Sequence, residues 1–221
     1  DKIIVTTNSI KNFICHNFEI KRKKIFIQKN WIDARKFYFK YKKKKLNSIY
    51  VGRLSVEKNL IDLIKIAKQV NIPLNIYGEG PQKNILKNII GKKFKRKIII
   101  KGNVQNNKLP SIYNKHAIFF LNSKAEGQPK SLLEAMSCGL IVIGKNSPGI
   151  NEIIKNNKNG FLLNKNYSNL SKIFISLKGN HSKNYKMCTQ ARKYILDNHS
   201  LVKYMEIEEK IYKKVLNDQN I

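Results

Sequence analysis

Residues 126–139 read Glu-Gly-Gln-Pro-Lys-Ser-Leu-Leu-Glu-Ala-Met-Ser-Cys-Gly. An apolar run precedes them at Ala117 to Leu121, and a second follows at Leu140 to Ile143. Between these runs Leu132, Leu133 and Met136 recur at helical spacing, so the segment reads strand, polar turn, helix, strand. That is a βαβ unit, and its turn falls where parallel sheets bind ligands. Eight steps separate Glu126 from Glu134, a rise of roughly 12 Å if every one of them is helical. Pro129, Lys130 and Ser131 mark the helix start between the carboxylates, where free N–H groups and the helix dipole favour an anion. Hydroxyl, phosphate, hydroxyl is the ligand pattern that fits. The plainer alternative is a surface helix with two solvated glutamates and an apolar stripe.

Upstream of this unit the same alternation begins at Asn47. Ser48 to Val51 reads as a strand, Gly52-Arg53-Leu54 turns out of it toward Lys58, and Leu60, Leu63, Ile64, Ala67 and Val70 form a helical face. Leu74 to Tyr77 is the next strand, broken by Gly78-Glu79-Gly80-Pro81, with Pro81 suited to a first helical position. The following helix has Ile85, Leu86, Ile89 and Ile90 as its buried face and Gly91 as its C-cap. Ile98 to Ile100 is a third strand ending at Gly102-Asn103-Val104, and a short helix at Pro110 to Asn114 follows. Past Ile143 the sequence predicts a Ser147-Pro148-Gly149 turn, a helix carrying Ile150, Ile153 and Ile154, and a strand at Phe161 to Leu163. This alternation predicts an α/β fold, a Rossmann-like parallel sheet with right-handed crossovers and helices on both faces.

The flanks are different. Ile3 to Val5 and Ile25 to Ile27 read as strands around a helix that Asn8 is placed to cap. Arg35 to Lys45 interleaves Phe37, Tyr38, Phe39 and Tyr41 with lysines. Such a stretch can be a linker packing on the next domain, a base-stacking surface or a lipid-facing patch. Residues 168–221 have helical spacing and no strand pattern. The resulting division is 1–33, a linker at 34–46, an α/β domain at 47–167 and C-terminal helices at 168–221.

Composition bounds the partners. The chain has 221 residues, 42% of them hydrophobic, and a formal charge of +30, enough apolar material for a real core and a field that attracts phosphates, nucleic acid or anionic lipid. The three cysteines, Cys15, Cys138 and Cys188, are widely spaced and odd in number, which points to reduced thiols in a cytoplasm. His16, His116, His181 and His199 show no metal or triad spacing. No apolar run reaches the ~18 residues of a membrane span. The chain opens Asp1-Lys2, without an initiator methionine or a signal-peptide pattern.

Taken together, G-R-L-S-V-E-K at Gly52 to Lys58, Y-G-E-G-P at Tyr77 to Pro81, the two glutamates of the 126–139 stretch and S-P-G-I-N-E-I-I at 147–154 resemble the retaining glycosyltransferases of family 4, the group 1 class. The resemblance covers Asn47 to Leu163 and implies the C-terminal, donor-binding half of a GT-B fold. It implies that Arg53 and Lys58 hold the diphosphate of a UDP- or GDP-sugar, with Gly52 in the same turn. Glu126 would face sugar hydroxyls and Glu134 the ribose. Backbone around Gly127, Gln128, Pro129, Lys130 and Ser131 would meet phosphate and sugar, while Gly78, Glu79 and Val104 would border the base. No metal or other cofactor is expected. The implied activity is hexosyl transfer to a glycan or lipid-linked acceptor in cell-surface glycan synthesis, in the cytoplasm or peripherally on the inner membrane face.

The chain departs from that pattern in three places. Residues 1–33 resemble only the last strand, helix and hinge of an N-terminal acceptor domain, so a fragment of a longer protein is expected. The hinge reads Lys29-Asn30-Trp31-Ile32-Asp33 where Pro-Asn-Gly-Val-Asp is common, and in the pair Gln128-Pro129 the glutamine stands where an aromatic is common and the proline lacks the N–H that a glycine there would offer. From a different class, a non-catalytic basic module for nucleic acid or anionic membrane is the alternative; no recognition-helix or aromatic-sheet signature favours it.

Overall fold

The computed structural model describes residues 2–40 and 45–217. Its centre is a parallel sheet of six strands: β3 (Ser48–Val51), β4 (Leu74–Tyr77), β5 (Ile98–Gly102), β6 (Ile118–Leu121), β7 (Ile141–Lys145) and β8 (Phe161–Leu163), in the spatial order β5-β4-β3-β6-β7-β8. A separate parallel pair joins β1 (Ile3–Val5) to β2 (Ile25–Ile27). The strands of the large sheet lie where the apolar runs placed them, because a strand covered on both faces reads as a continuous hydrophobic run. β6 is buried along its whole length.

Strand order reverses between β3 and β6, the point where parallel sheets open a crevice. The two strands pair only at Ser48↔Ile118 and Ile49↔Phe119. Beyond these residues Tyr50 and Val51 part from Phe120 and Leu121, so the loops that follow leave in opposite directions. One loop leads through α2 (Leu60–Gln69), the other into α5 (Lys130–Ser137). The β4-β5 and β5-β6 crossovers carry α3 (Lys83–Phe94) and the short α4 (Leu109–Tyr113). α1 (Asn8–Asn17) belongs to the β1-β2 unit, and α6 (Leu170–Gly179), α7 (His181–His199) and α8 (Leu201–Asn217) form the tail.

Several local expectations change. Thr7, not Asn8, caps α1, its hydroxyl accepting from Ile10 N at 3.2 Å. Pro81 precedes α3, whose N-cap is Gln82. Gly91 does not end α3; it breaks the helix at φ 67° and helical residues resume to Phe94, while Ile85 faces solvent. The helix expected after Gly149 is a pair of turns. The Asn159 side chain takes Lys155 N at 2.7 Å and donates to Ile153 O at 3.1 Å, so the amide that would extend the helix is captured. Ile150, Ile153 and Ile154 are nevertheless buried in the main core.

The segment before β3 is fastened down. Phe37 is buried, its carbonyl accepting Ser137 Oγ at 2.7 Å and Arg192 Nη1 at 3.0 Å. A Cβ on Gly139 would stand 2.2 Å from Phe39 Cδ2, so the ring fills the space that glycine leaves at φ 67°. Tyr41 and residues 42–44 of the basic aromatic stretch lie outside the described residues. Trp31 needs no positive φ and packs near Tyr204 at 6.5 Å between ring centroids. Its neighbours bind α7, with Ile32 N donating to His199 O at 2.8 Å and His199 Nδ1 bonded to Asn30 O at 2.9 Å.

His199 is 1% exposed, and burial lowers its pKa to about 4. The unfolded chain therefore binds a proton that the folded chain refuses between pH ~6.5 and ~4, and this stabilisation is lost as pH falls through that window. The full shift corresponds to about 3 kcal/mol. Urea midpoints measured from pH 7 to pH 4 should fall more steeply for the parent than for His199→Gln; equal slopes would show that the histidine does not carry the effect.

Candidate active site

At the carboxyl ends of β3 and β6 lies a cleft of about 380 Å³ lined by Gly52, Arg53, Glu57, Lys58, Glu126, Pro129, Lys130 and Ser131 over a floor of Tyr50, Val51 and Leu121. A second hollow of about 340 Å³ adjoins it, sharing Val51, Gly52 and Arg53 and adding Tyr77, Gly78, Glu79, Asn103, Val104 and Leu109. The two make one groove that crosses the carboxyl edges of β5, β4, β3 and β6.

The cations enter from the β3 loop. Buried Tyr50 donates to Arg53 O at 2.9 Å and so shapes the turn from below; its burial raises its pKa and keeps the hydroxyl protonated. Arg53 is exposed and pairs with no carboxylate among the described residues. Lys58 ends a 3-10 turn, Val56–Lys58, beyond which Asn59 takes the left-handed conformation and turns the chain into α2. Gly78, at φ 138°, approaches this loop so closely that a Cβ would sit 1.9 Å from Gly52 O. Only glycine fits there, and Y-G-E-G is thereby explained as packing between two site loops.

Glu126 is not solvated. Its Oε1 accepts Lys58 Nζ at 2.8 Å and Ser123 Oγ at 2.5 Å, with side-chain exposures of 22% for Lys58 and 10% for Glu126. The two site loops are also joined through the backbone, by Lys124 N to Glu57 O at 2.9 Å. From the third side, the turn at Gly149 presses on the loop: Glu126 N donates to Pro148 O at 3.0 Å, and a Cβ on Gly149, which has φ 77°, would meet Glu126 O at 1.9 Å.

α5 begins only at Lys130, so the step from Glu126 to Glu134 is half extended loop and half helix rather than all helix. Leu132 N and Leu133 N both donate to Pro129 O, which leaves the amides of Lys130 and Ser131 at the cleft, the ends of a dipole suited to an anion. Glu134 lies one helical turn further in and is 7% exposed. Tyr113 donates to its Oε2 at 3.0 Å. Burial raises its pKa to about 7, against the lowering effect of the Tyr113 hydrogen bond and of Lys130 and Lys36. The two glutamates thus have different chemistry: Glu126 is a paired carboxylate, Glu134 a buried acid that titrates near neutrality.

The structure brings Gly52, Arg53, Lys58, Glu126, Pro129, Lys130 and Ser131 together in one cleft and Gly78, Glu79 and Val104 in the adjoining hollow. Glu134 sits behind α4 rather than on either lining. Gly127 and Gln128 turn the other way: Gly127 lies against Thr6 and Ile10, and Gln128 accepts from Asn30, its Oε1 from Asn30 N and its carbonyl from Asn30 Nδ2. Sequence reading gave no site role to Ser123, Tyr113 or Glu57. A serine three residues before Glu126 was a local signal; nothing local connects Tyr113 with Glu134. Among the described residues no cluster of three His, Cys, Asp or Glu could hold a metal ion.

Two measurements check this geometry. In Tyr113→Phe the loss of a hydrogen bond to the ionised carboxylate should move the Glu134 midpoint, followed by carboxyl NMR, upward from about 7; an unchanged or lower midpoint contradicts the pairing. Gly149→Ala should displace the Glu126 backbone and destabilise the fold by about 2 kcal/mol or more, read as a lower thermal midpoint.

Comparison with known proteins places the chain. An uncharacterised glycosyltransferase of Methanocaldococcus jannaschii is 28% identical over 98% of this chain and 59% of its own length. The UDP-Gal:alpha-D-GlcNAc-diphosphoundecaprenol alpha-1,3-galactosyltransferase of Escherichia coli is 34% identical over 52% of this chain and 32% of its own. The crystal structure of Anabaena HepE in complex with UDP-glucose shares the fold, with a TM-score of 0.84 at 17% identity, over 96% of this chain and 64% of that one. The chain therefore spans less than two thirds of each. The family model of the group 1 glycosyl transferases matches residues 32–194, which include every strand of the large sheet and both loops of the cleft; the chain belongs to that family.

Proposed function

We propose that this chain carries the donor site of a retaining hexosyltransferase that uses a UDP- or GDP-sugar. The observation that carries the reading is the convergence on one cleft of Arg53, Lys58, the first amides of α5 and Glu126, beside a hollow bounded by Gly78, Glu79 and Val104. A nucleotide sugar has matching parts in matching order. Its diphosphate suits the two cations and the α5 dipole, its sugar hydroxyls suit Glu126, its ribose the Glu134 side of α5, and its base the hollow. HepE with bound UDP-glucose supports the donor class, and the E. coli relative supports a diphosphate-linked lipid acceptor. In this reading residues 47–167 form the donor module and residues 1–33 the border of an acceptor-binding part, with polysaccharide or lipid-linked glycan as acceptor.

Catalysis would follow from charge. As the C1–O bond to the diphosphate breaks, negative charge grows on the leaving oxygen, where Arg53, Lys58 and the α5 amides stabilise it. The acceptor hydroxyl attacks C1 from the same face, and its proton passes to the departing diphosphate, so the anomeric configuration is kept without a metal. No helix among the described residues is long and apolar enough to cross a membrane. The charge of +30 suits a peripheral site on an anionic inner membrane face.

UDP-glucose or GDP-mannose should raise the thermal midpoint of the chain, with EDTA making no difference. Arg53→Gln or Glu134→Ala should weaken donor binding roughly tenfold, the worth of one charged hydrogen bond. Because Glu134 titrates at about 7, donor affinity should fall as pH drops from 8 to 6 in the parent relative to Glu134→Gln, whose own profile cancels titration of the nucleotide. A chain that no nucleotide sugar stabilises would sink the reading.

A further inference from the structure

On the far side of the Glu126 loop, away from the donor cleft, lies a third cavity of about 330 Å³ between the β1-α1-β2 unit and α7. Its polar lining includes Thr6, Lys29, Gln128, Lys155, Tyr194 and Asn198. Two cations face one space here. Neither Lys29 nor Lys155 has a carboxylate partner among the described residues. The single acid of the lining, Glu152, hydrogen-bonds away from the lysines: its oxygens accept Asn8 N at 2.9 Å, Ser9 N at 3.1 Å and Ser9 Oγ at 2.5 Å, closing the start of α1, while its charge still acts on Lys29 and Lys155.

We propose that this cavity is an anion subsite for the acceptor, in which Lys29 and Lys155 hold a phosphate or carboxylate attached to the acceptor sugar. It rests on the transferase reading above. Three features support it. An oxyanion between two ammonium groups offsets their mutual repulsion and the desolvation of Lys29, whose pKa is lowered first by burial and then by Lys155, with Glu152 acting the other way. Hydrogen-bond donors surround the space: the Tyr194 hydroxyl, which burial keeps protonated, the Thr6 hydroxyl, and the Gln128 carboxamide, whose oxygen is occupied by Asn30 N and whose nitrogen is left to donate. Position is the third. Gln128 lines this cavity and Glu126 the donor cleft, two residues apart, at most about 7 Å of extended chain. An acceptor anchored by its anion at Lys29 and Lys155 therefore lies one loop's thickness from the donor sugar. Lys29 stands where the related hinge commonly has proline, so this cation is a property of this chain rather than of the motif.

The test uses the full chain, saturated with UDP so that Arg53 and Lys58 are occupied, at about 0.15 M salt to screen the general positive field. Glucose 1-phosphate, glucuronate and glucose are titrated while backbone amide shifts are followed by NMR. Saturable shifts at Lys29, Gln128 and Lys155 with an anionic probe, weakened at least fivefold in Lys29→Gln and in Lys155→Gln but not in the surface control Lys172→Gln, are the expected result. Which of the two anionic probes binds tighter identifies the acceptor's anion as phosphate or carboxylate. Equal binding of neutral glucose, unchanged affinity in both lysine variants, or shifts confined to the donor cleft would overturn the subsite. Failure of UDP itself to bind would instead remove the donor reading, and with it the acceptor assignment.

Discussion

The splaying of β3 from β6 is the constraint on which the site depends. These strands are neighbours in the sheet yet far apart in sequence, and they pair over only two residues. A parallel pair whose outgoing connections run to opposite sides must leave a gap at its carboxyl end. The loops bordering that gap carry the cations and Glu126, and they are fastened to one another. Lys124 N to Glu57 O, Lys58 to Glu126, and the close approaches of Gly78 and Gly149 are the fastenings.

Burial then separates the roles of two residues of one type. Glu126, at the mouth of the gap, shares its charge with Lys58 and a serine hydroxyl. Glu134, four residues into α5, is enclosed with Tyr113 and holds its proton up to about pH 7. The same side chain is in one place a paired anion and in the other an acid near its midpoint, because desolvation in the second place outweighs its hydrogen bond.

The Glu126 loop is also a wall with two sides. A bend at Gly127 sends Glu126 and Pro129 toward one cavity and Gln128 toward the other. Gln128 ties the loop to Asn30, and Asn30 in turn to His199 of α7. Residues 29–33, the Glu126 loop and the C-terminal helices are thus one hydrogen-bonded body, and residues 1–33 are fastened to the large-sheet domain from behind the cleft.

What the sequence determined by itself was the order and type of the strands, the location of the loops between them, and which loops carry cations, glycines and carboxylates. Apolar runs and turn residues are local signals, and strands buried on both faces make them strong. The glycine motifs and the two glutamates were equally legible, enough to place Arg53, Lys58 and Glu126 on one edge. Tertiary structure alone decided the rest. It brought Glu152 to the start of α1 across 144 positions and Tyr113 to Glu134. It also turned Gln128 away from the cleft of Arg53 and Lys58. These outcomes depend on which side chain reaches an unsatisfied amide or carboxylate first in space. Hydrogen bonds between separate crossovers leave no periodicity in the chain, so only the folded arrangement of the crossovers settles them.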